Sequence, residues 1–430
     1  MFERCAVVFV FLLASTGLLL PLLHEKGGAA AQSAAQGDPV TQVVWFGVYA
    51  VMFLMFLVQW RRFLGIALKD RLLLLLTVVA LASVLWAVSP EVTERRSVAL
   101  IGSTLFGIYL ASRFSLSEML RLLAWAMGIA VVLSLLFVLA LPSYGISGAS
   151  LTQGDWQGIF GQKNTLGKNM ALSITVFLIL AMSSRSHRWI ALSGIGLSSV
   201  LLLFSHSTTS LVVAVSIICL VPFFRGLRWK RTLAVSLVIL TILLSGSFAI
   251  WFVSNPQIVL GALGKDTTLT GRTVLWSAVL KAIHERPWLG YGYSSFWLGW
   301  EYPSADVWLA TRGNYYDSHN GILDLWLQLG FLGICIFALN FLRALLRAVA
   351  WVRATVTAEG IWPLAFLSFM LLSNLTEGTI LQQNNLSWIL YVATVFSIAT
   401  PPRNPAGRSN NHSGVGEYPE PLERRRALIR

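Results

Sequence analysis

Charge is scarce in this chain. Only 12% of its 430 residues are charged, about half the share of an ordinary soluble domain, so most of its surface cannot be meant for water. Cysteine is nearly absent as well. Cys5, Cys219 and Cys335 form an odd set in apolar runs, which excludes a disulfide framework or thiolate metal centre and leaves small apolar filler. The chain has no P-loop, no Gly-x-Ser-x-Gly elbow, no His-Glu-x-x-His and no Cys/His cluster. An enzyme built this way is expected to need neither metal nor cofactor and to take a substrate that arrives already activated. No internal repeat is visible, so an inverted-repeat transporter has no direct support. The apolar runs hold almost no ionisable residue near their centres, which argues against a proton-coupled pump or voltage sensor.

What the chain has is hydrocarbon. Mean hydropathy is +0.70 and 56% of residues are hydrophobic. Apolar runs recur near 5–23, 41–59, 72–88, 97–111, 119–141, 166–183, 189–204, 208–224, 232–253, 320–342, 361–375 and 385–400. At about 30 Å of hydrocarbon per crossing, these predict an all-α polytopic membrane protein with about twelve transmembrane helices. The fourth and the last two runs are short. Several of the 17 tryptophans, among them Trp45, Trp60, Trp86, Trp189 and Trp351, stand beside span ends, as an interfacial aromatic belt requires.

The formal charge of +13 follows topology rather than nucleic acid. With the N-terminus inside, alternate loops carry Arg61, Arg62, Lys69 and Arg71, then Arg113, Arg185 and Arg188, then Arg225, Arg228, Lys230 and Arg231, and then Arg343, Arg347 and Arg353. Opposite loops are poorer in Lys and Arg, with Arg95 and Arg96 the main exceptions. This positive-inside pattern predicts both termini in the cytoplasm. The first run resembles a signal peptide in its flanks, but its length favours an anchor. Residues 1–400 form the expected transmembrane domain. The polar tail 401–430, rich in Pro, Gly, Asn and Arg, is expected to be a disordered cytoplasmic segment.

One interruption stands out. From Ser254 to Ser318 the chain turns polar and rich in Arg, Trp, Tyr and Gly, a large extracytoplasmic loop between the ninth and tenth spans where water and polar substrates have access. Within it Leu275, Val279 and Ile283 recur at helical spacing. Thr270 can cap the start, Pro287 ends the helix, and its apolar face is expected on the membrane surface. Arg272 opens this helix, where free N–H groups and a guanidinium can together grip a pyrophosphate. A snorkelling contact to a lipid headgroup is the alternative. His319 follows Asp317 and Ser318 at the start of the next span. Asp317 can orient that imidazole or raise its pKa, although a plain helix-start role is equally open. Asp324 lies just below, where an ionisable group needs a partner or a polar crevice. Arg95 and Arg96 call for an anionic partner, either Glu91 or Glu94 or a substrate phosphate. Lys163 and Asn164, in a Gly-flanked turn, can touch phosphate or sugar, or anchor the interface. The loop's aromatics (Trp276, Trp288, Tyr291, Tyr293, Trp297, Trp300, Tyr302, Trp308) suit either sugar stacking or interfacial anchoring.

The segments WAVSPEVTERRS (86–97), GIFGQKNTLG (158–167), LTGRTVLW (269–276), PWLGYGYSSFW (287–297) and SHNGILDLWLQLGFLG (318–333) resemble, in order, motifs of the O-antigen ligase/polymerase superfamily of bacterial envelope glycosyltransferases. Within it the chain looks most like the rhizobial-type exopolysaccharide polymerases. The resemblance spans about residues 70–400, and its most specific part is His319-Asn320 followed by Gly330 and Gly333.

The resemblance implies a multi-pass protein of the bacterial inner membrane whose site faces the periplasm. Its substrate would be undecaprenyl-pyrophosphate-linked oligosaccharide, with membrane lipids around it and a flippase and chain-length regulator as candidate further partners. It implies that Arg272 stabilises the leaving pyrophosphate and that His319 acts as general base or second phosphate contact. Arg95, Arg96, Lys163, Asn164, Asn320 and Asp324 are the supporting substrate contacts. One departure stands against it: where many relatives carry a basic residue in a Ser-x-Ser-Lys/Arg-Thr-Ser segment, this chain has Thr208, with His206 nearby. The expected function is polymerisation of lipid-linked repeat units into exopolysaccharide. The alternatives are a ligase delivering the glycan to lipid A core or another acceptor and, more remotely, a transporter of the lipid-linked sugar.

Overall fold

The computed structural model describes residues 1–15, 39–149, 152–183, 185–229 and 272–399. The expected span at 232–253, the loop's first part with Thr270, and the tail lie outside these residues. Within them a helix stands at every expected span: α1 (Phe2–Ala14), α2 (Pro39–Ala67), α3 (Arg71–Ala82), α4 (Pro90–Arg113), α5 (Leu116–Ala140), α6 (Lys163–Ser183), α7 (Arg188–Phe204) and α8 (Thr208–Gly226). The loop contributes α9 (Arg272–Glu285) and α10 (Ser304–Thr311), and α11 (Gly321–Ala354), α12 (Trp362–Ser373) and α13 (Leu386–Ser397) complete the chain. Side chains at the helix starts explain where they begin. Ser115 and Glu118 form a reciprocal capping box on α5, and Asp70, Asn320 and Asn385 accept backbone N–H groups at the starts of α3, α11 and α13.

Among the described residues five helices are long and apolar enough to cross a membrane: Val40–Ala67, Leu116–Ala140, Lys163–Ser183, Thr208–Gly226 and Gly321–Ala354. The others in the described residues are shorter or more polar. Helices α12 and α13 have 12 residues each, about 18 Å at 1.5 Å per residue, well short of a bilayer. Every residue of α13 from Leu386 to Phe396 is buried. Its all-round apolarity therefore answers to protein neighbours rather than lipid. Outward-facing Val58 on α2, Trp125 on α5 and Ile218 on α8 are exposed, as lipid-solvated faces should be.

The interior is tied by one polar network. Asp70, with no exposed surface, caps α3, pairs with Arg347 and accepts from Asn340 at 2.7 Å, while Tyr391 donates to Asn340. Three helices, α3, α11 and α13, are thereby fixed by one carboxylate whose charge is compensated inside the protein.

Two features position the loop. Helix α9 buries Leu275, Val279 and Ile283 against Tyr291, Phe296, Trp297, Trp308 and Leu327. The apolar face expected on the membrane surface is instead occupied by the loop's own aromatic core, because those rings bury more area than a grazing bilayer contact. The second is a break in α11 at Gly330 (φ 63, ψ −163), a region open essentially to glycine. The break frees carbonyls of the preceding turn, and the Pro287–Gly292 strap lies across it: Tyr291 N–H donates to Leu327 O at 2.7 Å, Gly292 N–H to Gln328 O at 3.0 Å and Phe331 N–H to Pro287 O at 2.8 Å. A Cβ on Gly330 would lie 2.2 Å from the Trp288 carbonyl. Gly330→Ala is expected to destabilise the protein by roughly 2–4 kcal/mol through backbone strain and overpacking, read as a lower unfolding temperature in detergent. A wild-type unfolding temperature would show that the strap is not anchored there.

Candidate functional site

His319 sits at the junction of loop and α11. It adopts φ 50, an uncommon conformation for a residue with a Cβ and one that clusters at functional positions. Three bonds fix it there. Asp317 Oδ1 accepts the His319 backbone N–H at 2.9 Å. Ser318 N–H donates to Asp324 Oδ1 at 3.0 Å, and Trp276 Nε1 of α9 donates to Ser318 O at 2.9 Å. Asn320, by accepting from Ile322 and Leu323, starts α11 immediately after. The imidazole Nδ1 lies 2.9 Å from Asp317 Oδ1, an ion-pair distance, but off the hydrogen-bond axis, so Nδ1 is a buried atom without a hydrogen-bond partner.

The surrounding charges are cationic on one side and acidic on the other. Arg272, the first residue of α9 and half-buried, is close enough to act on the ionisation of both His319 and Glu377. Lys168, one turn into α6, acts on Asp317 and Glu377 in the same way. Among the described residues neither cation makes a hydrogen bond or ion pair. Glu377, in the α12–α13 connection, has a buried Oε1 without a hydrogen-bond partner. Two of the four orphaned side-chain atoms among the described residues thus fall in this cluster, and unsatisfied buried groups in a folded protein mark places built for something else.

The ionisation of these groups follows from their neighbours. Burial pushes the His319 pKa down, but Asp317 and then Glu377 overcome it against Arg272, and the net shift is upward. For Asp317 burial pushes up, and His319 and Lys168 outweigh it, holding the carboxyl below its usual range. Burial raises Glu377, only partly offset by Lys168. The result is an imidazole–carboxylate pair with Arg272 and Lys168 nearby, neither of them hydrogen-bonded or ion-paired among the described residues, able to receive an anion and to exchange a proton at His319 Nε2.

A cavity of about 170 Å³ opens beside Asp317, lined also by Arg96, Asp324 and Gln328 but not by His319. It is the polar crevice expected for Asp324. Trp297 Nε1 donates to the same Asp324 Oδ1 at 3.0 Å. Arg96 reaches Ser294 O at 3.0 Å, whereas Arg95 is exposed and forms no ion pair with Glu91 or Glu94 among the described residues. Lys163 pairs with Asp155 at 2.7 Å, and His206 contacts the same carboxylate at 2.6 Å. Together they hold Asp155 below its usual range against the upward push of burial. The imidazole near Thr208 is therefore engaged with Asp155. Asn164 accepts from Ser207 at 3.3 Å. These residues make a second polar cluster, at the start of α6, that does not touch His319. Of the loop aromatics, Tyr291, Trp297 and Trp308 are buried in the loop core and Tyr293 in the main helical core, while Trp288 and Trp300 are exposed.

Lys168 and Glu377 escape a reading of the sequence by motif. The available signal was a lysine inside an apolar run and an acid between two others, each expensive unless used. Their relation to His319 exists only through the fold.

The profile of the O-antigen ligase family matches residues 193–338, a segment that includes both Arg272 and His319. The "Exopolysaccharide production protein ExoQ" of Rhizobium meliloti (strain 1021) is 24% identical over 313 residues, covering 70% of this chain and 71% of that protein. The matched segment thus takes in Arg272, Asp317 and His319 but not Lys168 or Glu377, and along most of its length the chain is similar to a bacterial exopolysaccharide production protein.

Proposed function

We propose that this protein polymerises lipid-pyrophosphate-linked oligosaccharide repeat units into exopolysaccharide at the outer face of the bacterial inner membrane. The carrying observation is the meeting of Arg272 and Lys168, neither hydrogen-bonded nor ion-paired among the described residues, with a carboxylate-paired His319. In the reaction an acceptor hydroxyl oxygen bonds to the anomeric carbon of the donor sugar. The bond from that carbon to the pyrophosphate breaks, its electron pair leaving on the lipid pyrophosphate, and the hydroxyl proton passes to His319 Nε2. Arg272 grips the departing oxygens bidentately, and Lys168 adds a point charge. That charge serves where other phosphate chemistries use a metal ion. The protein's main task is to align two membrane-held substrates and to neutralise one of them. The charge pattern of the loops supports a cytoplasmic position for both termini and a periplasmic one for the site. A flippase would supply the donor, and a chain-length regulator would limit the product.

The ligase profile keeps a second reading open, in which finished glycan passes to lipid A core or another acceptor. One experiment separates them: lipid-linked glycans extracted from cells carrying His319→Ala and compared with wild type by mass spectrometry. Single repeat units accumulating on the carrier with polymer lost is the expected result. Full-length polymer on the carrier, unattached to an acceptor, would make the protein a ligase.

A further inference from the structure

We infer that the cavity beside Asp317 is a subsite for one neutral hexose ring of the acceptor; the assignment to the acceptor rests on the transfer reaction proposed above. Size is the first argument. A cavity of about 170 Å³ far exceeds the roughly 15 Å³ that one water needs and falls below the roughly 300 Å³ at which drug-sized pockets begin. It has room for a single ring.

Its lining decides what that ring must be. Three glutamines face the cavity, and in each the carbonyl oxygen is already used by the protein. Gln328 Oε1 accepts from Ser294 N–H at 3.1 Å, Gln382 Oε1 from Asn385 at 2.9 Å, and Gln383 Oε1 from the Tyr293 hydroxyl at 2.7 Å. With the oxygens engaged, each side chain is left with its amide N–H donors. Asp324 is arranged the opposite way. Both Trp297 and Ser318 bond to Oδ1, which leaves Oδ2 as an acceptor beside Gly378. Fixed donors and acceptors around one small space suit a polyol, whose every hydroxyl both gives and takes a hydrogen bond. The Trp297 ring supplies an apolar wall, suited to the C–H face of a pyranose.

Charge excludes the other polar ligands. Asp317, held below the usual carboxylate range, lines the cavity and opposes a phosphate, while Arg96 opposes a cation. The anion goes instead to Arg272 and Lys168, neither of which lines the cavity. The cavity and the cationic pair thus divide the reaction, with a neutral sugar in one and pyrophosphate at the other. Asp317 links them, lining the cavity while its Oδ1 lies 2.9 Å from His319 Nδ1. Ser294 and Leu381 in the cavity wall take positive φ, 55 and 58. Such strain persists where the surroundings hold a functional geometry.

The test is saturation-transfer NMR with methyl glucopyranosides and methyl galactopyranosides on the full chain in lipid nanodiscs. Wild type is expected to bind at least one of these probes at millimolar concentration. Gln328→Glu and Gln383→Glu keep the oxygen that the protein uses and replace the amide donors with a carboxylate oxygen that can only accept. Each is expected to weaken binding about tenfold or more while keeping a near-wild-type unfolding temperature. Gln382→Glu serves as a third such variant should either fail to fold. Arg272→Ala is expected to bind the hexoside as wild type does. Absence of binding to every probe at roughly 50 mM, or equal binding by well-folded glutamine variants, overturns the subsite. Hexoside binding that maps to the cavity in a protein whose Arg272→Ala variant transfers sugar normally would keep the subsite and remove the proposed reaction instead.

Discussion

Arg272→Ala is expected to slow glycosyl transfer on the order of a hundredfold or more while leaving the protein folded, by analogy with the removal of single preorganised electrostatic groups. Both halves of that expectation follow from the geometry. Arg272 begins α9, is half-buried and makes no hydrogen bond or ion pair among the described residues. Its truncation therefore strands no partner and opens no core cavity, and the stability change should stay within about 0.5 kcal/mol. The catalytic loss is large because the charge it meets exists mainly in the transition state, as the pyrophosphate departs. Arg272→Lys keeps the charge but not the two-pronged grip and should recover only part of the rate. The measurement is initial polymerisation rate in vesicles supplied with lipid-linked repeat units, normalised to protein amount. A well-expressed Arg272→Ala protein with wild-type rate would remove Arg272 from the site. The opposite contrast comes from Gly330, where the same substitution to alanine is expected to act on folding first.

Much of this was legible in the chain, and the reasons differ by residue. Arg272 and His319 stand out because a polar, arginine-bearing loop in an apolar chain is costly and therefore informative. The Asp317–His319 relation is local and could be read from two positions' spacing. Lys168 and Glu377 could not be, since more than two hundred residues separate them and only the packing of α6 against the α12–α13 connection joins them to Asp317. Lys163 looked like a substrate contact because a cation in a Gly-flanked turn suits phosphate, and His206 stood near the missing charge at Thr208. Asp155, an unremarkable acid in sequence, holds both. The aromatic loop illustrates a different limit. Eight rings in one segment fit a sugar platform or a miniature core equally well, and the structure buries four of them. Apolar runs likewise do not say which solvent they face. Helices α12 and α13 read as spans, yet at 12 residues they are too short to cross and are enclosed by other helices.

The pH dependence of transfer separates the two roles open to His319. Its pKa is raised in the folded protein above the ordinary imidazole value of about 6.5. A general base works only when unprotonated, so activity is expected to fall as pH drops through that raised pKa, with an acid limb centred above about 6.5. If the imidazolium instead binds phosphate, the sign reverses and activity falls as pH rises through the same value. The groups that set the shift give a further signature. Burial lowers it, Asp317 opposes burial most strongly, Glu377 adds to Asp317, and Arg272 acts against both. In the base role Asp317→Asn should move the acid limb to lower pH and depress the plateau about a hundredfold or more, since the ring loses both its orientation and its counter-charge. Glu377→Gln should move the limb the same way by less, and the residual activity of Arg272→Ala should show it displaced to higher pH. Initial rates for the wild type and these variants across about pH 5 to 9 test all of these signs at once. An acid limb that ignores Asp317→Asn would mean that the titrating group is not His319, and the proton would then have to leave the acceptor hydroxyl by another route.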